Sequence, residues 1–157
     1  MNSRFTLIFV LLVVGVFYLW RYRRAPEINP FDLQVETEAN TVVPLNTLLS
    51  DSSIVICYAS WCGPCLKELR MLKEHYALYA GSGVRFYCIT DDTADKIEVM
   101  RSNMPEAITF LKVNSLKELG VYTIPASFFI LENKVVDKQL DILDLQQQEK
   151  ILESFNP

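Results

Sequence analysis

Hydrophobic and polar positions along the chain change period several times, and each change marks an element. Phe5 to Trp20 is sixteen residues without a charge and is apolar all round, with no polar face. Phe31-Asp32-Leu33-Gln34-Val35-Glu36 then alternates apolar and polar, as a half-exposed strand does. Glu38-Ala39-Asn40 reads as a turn, Thr41-Val42-Val43 as the partner strand, and Leu45 to Leu49 as at most a short helix. Ser53 to Ala59 is continuously apolar, the pattern of a central strand covered on both faces. Next, Cys65, Leu69, Leu72, Tyr76 and Tyr79 recur at helical spacing, which predicts a helix over Gly63 to Ala80, stopped by Gly81-Ser82-Gly83.

Val84 to Ile89 reads as a second buried strand. Thr90-Asp91-Asp92-Thr93 reads as a loop capping a helix over Ala94 to Ser102. Ile108 to Leu111 is a short strand, and Ser115 to Leu119 a helical turn ended by Gly120. Ser127 to Glu132 and Lys134 to Leu140 form an antiparallel pair about Asn133, and Leu145 to Phe155 a last helix. Strands alternating with helices and ending in a hairpin give an α/β sandwich with a mixed sheet.

Composition refines this picture at the N-terminus. A chain of 157 residues has room for one domain and an appendage. Four basic residues, Arg4, Arg21, Arg23 and Arg24, flank the apolar run, whereas all 19 acidic residues follow residue 26. An acidic domain with no basic patch argues against nucleic acid. At ~1.5 Å per residue the run is short for a hydrocarbon core of ~30 Å. Tyr18, Trp20 and Tyr22 can sit in the interface, however, and the arginines can snorkel. Arg21-Tyr22-Arg23-Arg24 is no small-residue cleavage site. The expectation is an uncleaved transmembrane anchor over residues 1–24, an extended proline-containing spacer over 25–30, and a folded domain over 31–157. The arginine count favours a cytoplasmic domain by about one charge.

The chemistry concentrates at Trp61-Cys62-Gly63-Pro64-Cys65, where the buried strand turns into the amphipathic helix. The first turn of a helix offers unpaired N–H groups and a positive dipole end, and both stabilise a thiolate. Pro64 is tolerated there because a first-turn residue has no intrahelical N–H bond to lose. Cys62 should be exposed at the helix tip and Cys65 buried one turn in, so that one sulfur attacks and the other resolves. A bare pair of this spacing is also half a zinc site, but Cys57, Cys88 and His75 supply no second paired spacing. No cofactor and no metal are expected. Cys57 and Cys88 read as small core residues rather than a second disulfide, His75 has no assigned role, and Asp91-Asp92 reads as a cap.

Sixty residues after Cys65 comes Pro125, in Thr123-Ile124-Pro125-Ala126 at the mouth of a strand. Taken together, these two constellations resemble the thioredoxin fold, a central mixed β-sheet flanked by helices. The resemblance implies that Pro125 is cis, that it packs beside the cysteine pair, and that the Ile124 backbone pairs with a substrate strand. Trp61, with Gly63 and Pro64, would shield the exposed sulfur and form the substrate surface. The apolar run, the N-terminal hairpin, the insert near 90–105 and Cys62-x-x-Cys65-x-x-Glu68 look most like the membrane-anchored, extracytoplasmic TlpA/ResA-type reductases. Ordinary thioredoxins carry a buried aspartate where this chain has Ile56, and Glu68 is the replacement candidate for proton acceptor. The helix proline of the family is Arg70 here.

The implied activity is reduction of disulfides in extracytoplasmic (periplasmic) partner proteins, with re-reduction by a membrane electron donor. Apocytochrome c is a client by analogy. Two other readings stand beside it: a tethered binding or chaperone module with a structural disulfide, and a thiol peroxidase.

Overall fold

A computed structural model describes residues 3–23, 28–79 and 81–142. The first helix, α1 (Ser3–Arg23), carries the apolar run, and its side chains from Leu7 to Tyr18 stand exposed. Among the described residues no helix is long and apolar enough to cross a membrane. The expected transmembrane anchor is thus not shown among them. The expected helix over Leu145 to Phe155 lies outside the described residues.

Seven strands form one sheet in the order β2-β1-β5-β4-β3-β6-β7. They are β1 (Gln34–Glu36), β2 (Val42–Pro44), β3 (Ser52–Cys57), β4 (Arg85–Thr90), β5 (Ile108–Lys112), β6 (Ala126–Leu131) and β7 (Lys134–Gln139). The helices α2 (Gly63–His75) and α3 (Ala94–Ser102) follow β3 and β4. β3, β4 and β5 are parallel, as crossover helices require, while β1, β6 and β7 run antiparallel to their neighbours. The sheet is thus mixed, as expected. The N-terminal hairpin joins it through β5, where Glu36 lies opposite Lys112 and their side chains form an ion pair at 2.9 Å.

The continuous apolar run at β3 has the predicted cause. β3 is paired along its length with β4 on one side and β6 on the other. Its alternate side chains feed two separate cores. Ile54 and Ile56 face a layer with Cys65, Leu69 and Leu72 of α2, Ile97 of α3, and Cys88 and Phe110 of the neighbouring strands. Val55 and Cys57 face the opposite layer, with Leu33, Val35 and Leu45 from the N-terminal segment and Ile89, Phe128 and Ile130.

Some boundaries moved. α2 ends at His75 and passes into a 3-10 turn, Tyr76–Leu78, short of the helix read to Ala80. The reversal that follows still needs glycine, with φ +89° at Gly81 and +77° at Gly83. Packing also begins before Phe31: Ile28 and Pro30 are buried, and the Pro30 carbonyl accepts the Asn46 N–H at 3.0 Å. Thr93 is the N-cap of α3 and its carbonyl accepts the Ile97 N–H at 3.1 Å, but its side chain makes no cap bond.

Cys57 and Cys88 are free and fully buried, each in a different layer, because Cys88 lies opposite Ile56 and not opposite Cys57. Two thiols on opposite faces of one sheet cannot join without unpairing strands. Burial pushes the Cys57 thiol up to about 12 and raises Cys88 as well.

Leu69→Ala, on the α2 face that closes the first layer, should cost about 2–5 kcal/mol in urea unfolding. Cys57 and Cys88 should resist iodoacetamide in the native protein and react once it is unfolded, read by mass spectrometry. The native state binds these thiol protons more tightly than the unfolded chain. Their stabilisation is therefore intact below pH 9.0 and is lost as pH rises towards about 12, so the urea midpoint should fall over that window.

Candidate active site

The central strand delivers the site. β3 ends at Cys57, and Tyr58 and Ala59 continue buried to the turn at Ser60 and Trp61. The Cys62 N–H donates to the Ala59 carbonyl at 3.0 Å, which closes that turn. Cys62 is then the N-cap of α2, with φ −89° and ψ 103°, and its Sγ accepts the Cys65 backbone N–H at 3.2 Å. A sulfur thus occupies the place usually held by a serine or aspartate oxygen. Pro64 sits in the first turn, where it leaves no donor unsatisfied.

Cys62 and Cys65 are joined as a disulfide, with Cα atoms 5.3 Å apart. Among the described residues no group of three or more His, Cys, Asp or Glu side chains is placed to hold a metal ion. The Ile124–Pro125 peptide is cis, as the resemblance implied. It sets the Ile124 carbonyl oxygen 3.8 Å from the Cys62 Sγ, so the cis-proline loop touches the cysteine pair.

One expectation is corrected here. Cys62 is 5% exposed rather than open at the helix tip. Its sulfur is bonded to the fully buried Cys65 and lies against the Ile124 carbonyl, from a loop sixty-two residues away. Cys65 is fully buried, as expected. Trp61, expected to shield the sulfur, is 75% exposed. Gly63 and Pro64 are exposed beside it, and Ile124 is half-buried. Tyr122, on the segment leading into the cis-proline, is 74% exposed.

Glu68 also departs from the ordinary behaviour of a glutamate on an amphipathic helix. It is 1% exposed, one turn beyond Cys65 on the buried face of α2, and its Oε1 accepts the Ser127 hydroxyl at 3.0 Å. Burial is the main cause that raises the neighbouring Cys88 thiol, and the Glu68 charge adds to it. Ser127 is itself fully buried and lies opposite Ile56, which in turn lies opposite Cys88. Arg70, at the position of the family's helix proline, is exposed on an uninterrupted helix.

Asp92, read as a cap, instead clamps the approach to the cysteines. Its carboxylate accepts the Ser60 N–H at 2.6 Å, the Ser60 hydroxyl at 3.0 Å and the Thr90 hydroxyl at 3.0 Å. Asp91 accepts the Leu116 N–H at 3.1 Å. Tyr58 is buried, and burial first, then the charges at Cys88 and Asp92, raise its phenol. The signal for Asp92 was present as two acids after a buried strand, but the partner lies thirty-two residues back.

Comparison with known proteins places this geometry among relatives. The thiol-disulfide oxidoreductase ResA of Bacillus cereus (strain ZK / E33L) is 30% identical over 112 residues, which cover 64% of this chain and 61% of that protein. The chain therefore matches somewhat under two thirds of that relative's length. A thioredoxin-like protein from Porphyromonas gingivalis superposes with a TM-score of 0.67 at 20% identity, covering 83% of this chain and 94% of the other. The thiol:disulfide interchange protein DsbE from Chlorobium tepidum gives 0.65 at 20% identity, over 83% and 96%. At these identities the structures establish a thioredoxin-like fold. The model of the AhpC/TSA family matches residues 24–139, most of the sequence, and the chain belongs to that family.

Proposed function

We propose that the protein is a membrane-anchored thiol-disulfide oxidoreductase that reduces disulfides of extracytoplasmic partner proteins. The observation that carries the reading is the Cys62–Cys65 disulfide at the mouth of α2, with a backbone N–H on the first sulfur and the cis-proline loop against it. A donor aimed at that sulfur stabilises it as a thiolate and as a leaving group.

In the reduced state the Cys62 thiolate attacks a partner disulfide. A Cys62–partner bond forms, the partner's own S–S bond breaks, and one partner sulfur leaves as thiolate. Cys65 then loses its proton to Glu68 and attacks the Cys62 Sγ. The Cys62–Cys65 bond forms and the second partner sulfur is released. Two electrons pass from the protein to its partner, and a dithiol of a membrane electron donor restores the pair. The Ile124 backbone at the cis-proline would pair with the partner's extended segment, and Trp61, Gly63 and Pro64 present the exposed surface beside Cys62. The charge-free run in α1 supports the anchor, and the likeness to ResA supports the oxidoreductase class. The Gly-Pro between the cysteines supports the reducing direction. A cytochrome c apoprotein is the client class that the TlpA/ResA resemblance suggests.

Cys62→Ser should abolish turnover in an insulin-reduction assay, and retained turnover would overturn the assignment. Cys65→Ala should accumulate a mixed disulfide with the partner, recoverable on a non-reducing gel. A merely structural disulfide would show a reduction potential below about −300 mV, whereas a working exchanger lies near the poise of its compartment. A thiol peroxidase would instead consume hydrogen peroxide faster than it reduces a disulfide. For the side of the membrane, Val136→Cys places a thiol on the exposed face of β7, where the native side chain is 57% exposed. It should react with a membrane-impermeant maleimide in intact cells, and labelling only after permeabilisation would put the domain in the cytoplasm.

A further inference from the structure

We infer that Ser127 is a positioning residue for the second half of the exchange: its hydroxyl fixes the Glu68 carboxylate in the layer where Cys65 gives up its proton. This rests on the thiol-disulfide reading above and names a residue on which that reading depends.

The strand that carries Ser127 is otherwise apolar, Ala126-Ser127-Phe128-Phe129-Ile130, and is buried throughout. A buried hydroxyl is costly unless it is hydrogen-bonded, and this one donates to the Glu68 Oε1 at 3.0 Å. Cross-strand register puts Ser127, Ile56 and Cys88 in one row on the face that meets α2. Glu68 and Cys65 are three residues apart on α2, so their side chains project from neighbouring positions. A glutamate has three rotatable side-chain bonds, and a fixed donor selects one placement of its carboxylate. The β6 segment thereby meets the dithiol helix twice, at Cys62 through the Ile124 carbonyl and at Glu68 through the Ser127 hydroxyl.

Among the described residues, the titratable groups in this layer besides Glu68 are Cys62 and Cys65 on α2, Tyr76 and Tyr79 just past it, Cys88 on β4 and Tyr58 beyond β3, with the charges of Asp92 and Arg101 acting on Tyr58. Ile108 and Phe110 on β5 and Phe129 on β6 carry no charge. In the step concerned, the Cys65 proton moves to Glu68, the Cys65–Cys62 bond forms, and the Cys62–partner bond breaks with the partner sulfur leaving as thiolate. The proton stays on the carboxyl until the pair is reduced again, when Cys65 takes it back.

The test uses the reduced full-length protein and 5,5′-dithiobis(2-nitrobenzoate) as the disulfide. Attack by Cys62 releases one coloured thiolate, and resolution by Cys65 releases the second. In Ser127→Ala the first release should stay within twofold of wild type, which also reports an intact fold. The second should slow roughly tenfold, a part of what a positioned base contributes. The pH midpoint of the second release should move towards that of Glu68→Gln. Ser127→Thr, which keeps the hydroxyl, should restore both rate and midpoint, and Ser127→Ala with Glu68→Gln should behave as Glu68→Gln alone. A second release in Ser127→Ala with wild-type rate and midpoint overturns the role of Ser127 while leaving the exchange reading intact. So does a double variant slowed by the full product of both effects. Failure of the wild-type protein to give two releases overturns the exchange reading itself.

Discussion

The arrangement depends on a shortage of backbone partners at one point. Where β3 gives way to α2, the first N–H groups of the helix have no carbonyl to bond within it. One of them belongs to a proline and does not exist, and the Cys65 N–H is spent on the Cys62 sulfur. What would be an ordinary capping bond thereby places a donor on one sulfur of the Cys62–Cys65 pair. The position of that atom is as rigid as the sheet, because β3 is hydrogen-bonded to β4 and β6 for its whole length. β3 ends at Cys57, and the buried Tyr58 and Ala59 carry the chain from there towards Cys62.

Holding that junction takes polar groups in places where they are expensive. Asp92 is nearly buried and spends its carboxylate on Ser60, just before the cysteines. Glu68 is buried just after them and takes the Ser127 hydroxyl. A buried carboxylate without donors costs far more than its packing returns. Each acid here is matched to hydroxyls supplied by strands, Thr90 from β4 and Ser127 from β6. The redox helix is therefore fixed at both ends of its first turns, by one acid upstream and one downstream.

These features explain what the sequence could and could not reveal. The strand–helix alternation, the Gly-Pro between the cysteines and the Ile124-Pro125 element are local signals, set by period and by the special chemistry of glycine and proline, and they are where the pattern placed them. Helical spacing also set Glu68 on the face of Cys65, Leu69 and Leu72, yet glutamate is so often solvated that its burial could not be read without its partner on β6. The contact at the Cys62 sulfur and the clamp at Asp92 come from segments sixty-two and thirty-two residues away. The docking of the first hairpin onto β5 rests on a contact between Glu36 and Lys112, seventy-six residues apart. Nothing periodic in the chain encodes such pairings.

The apolar residue at Ile56 completes the same logic. Ile56 sits between Ser127 and Cys88 in the row that faces α2, with cross-strand neighbours about 5 Å away. An acid at that position would share the layer with Glu68. Two carboxylates about 6 Å apart at an effective dielectric of about 20 repel by roughly 3 kcal/mol, before either is desolvated. The layer therefore holds an acid on the strand or on the helix, and not both as anions. With the acid carried by α2, the strand position is free to pack against Leu69 and Leu72, and the neighbouring strand supplies the hydroxyl that keeps the carboxylate in place. Ile56, Glu68 and Ser127 thus meet in one layer from three different elements.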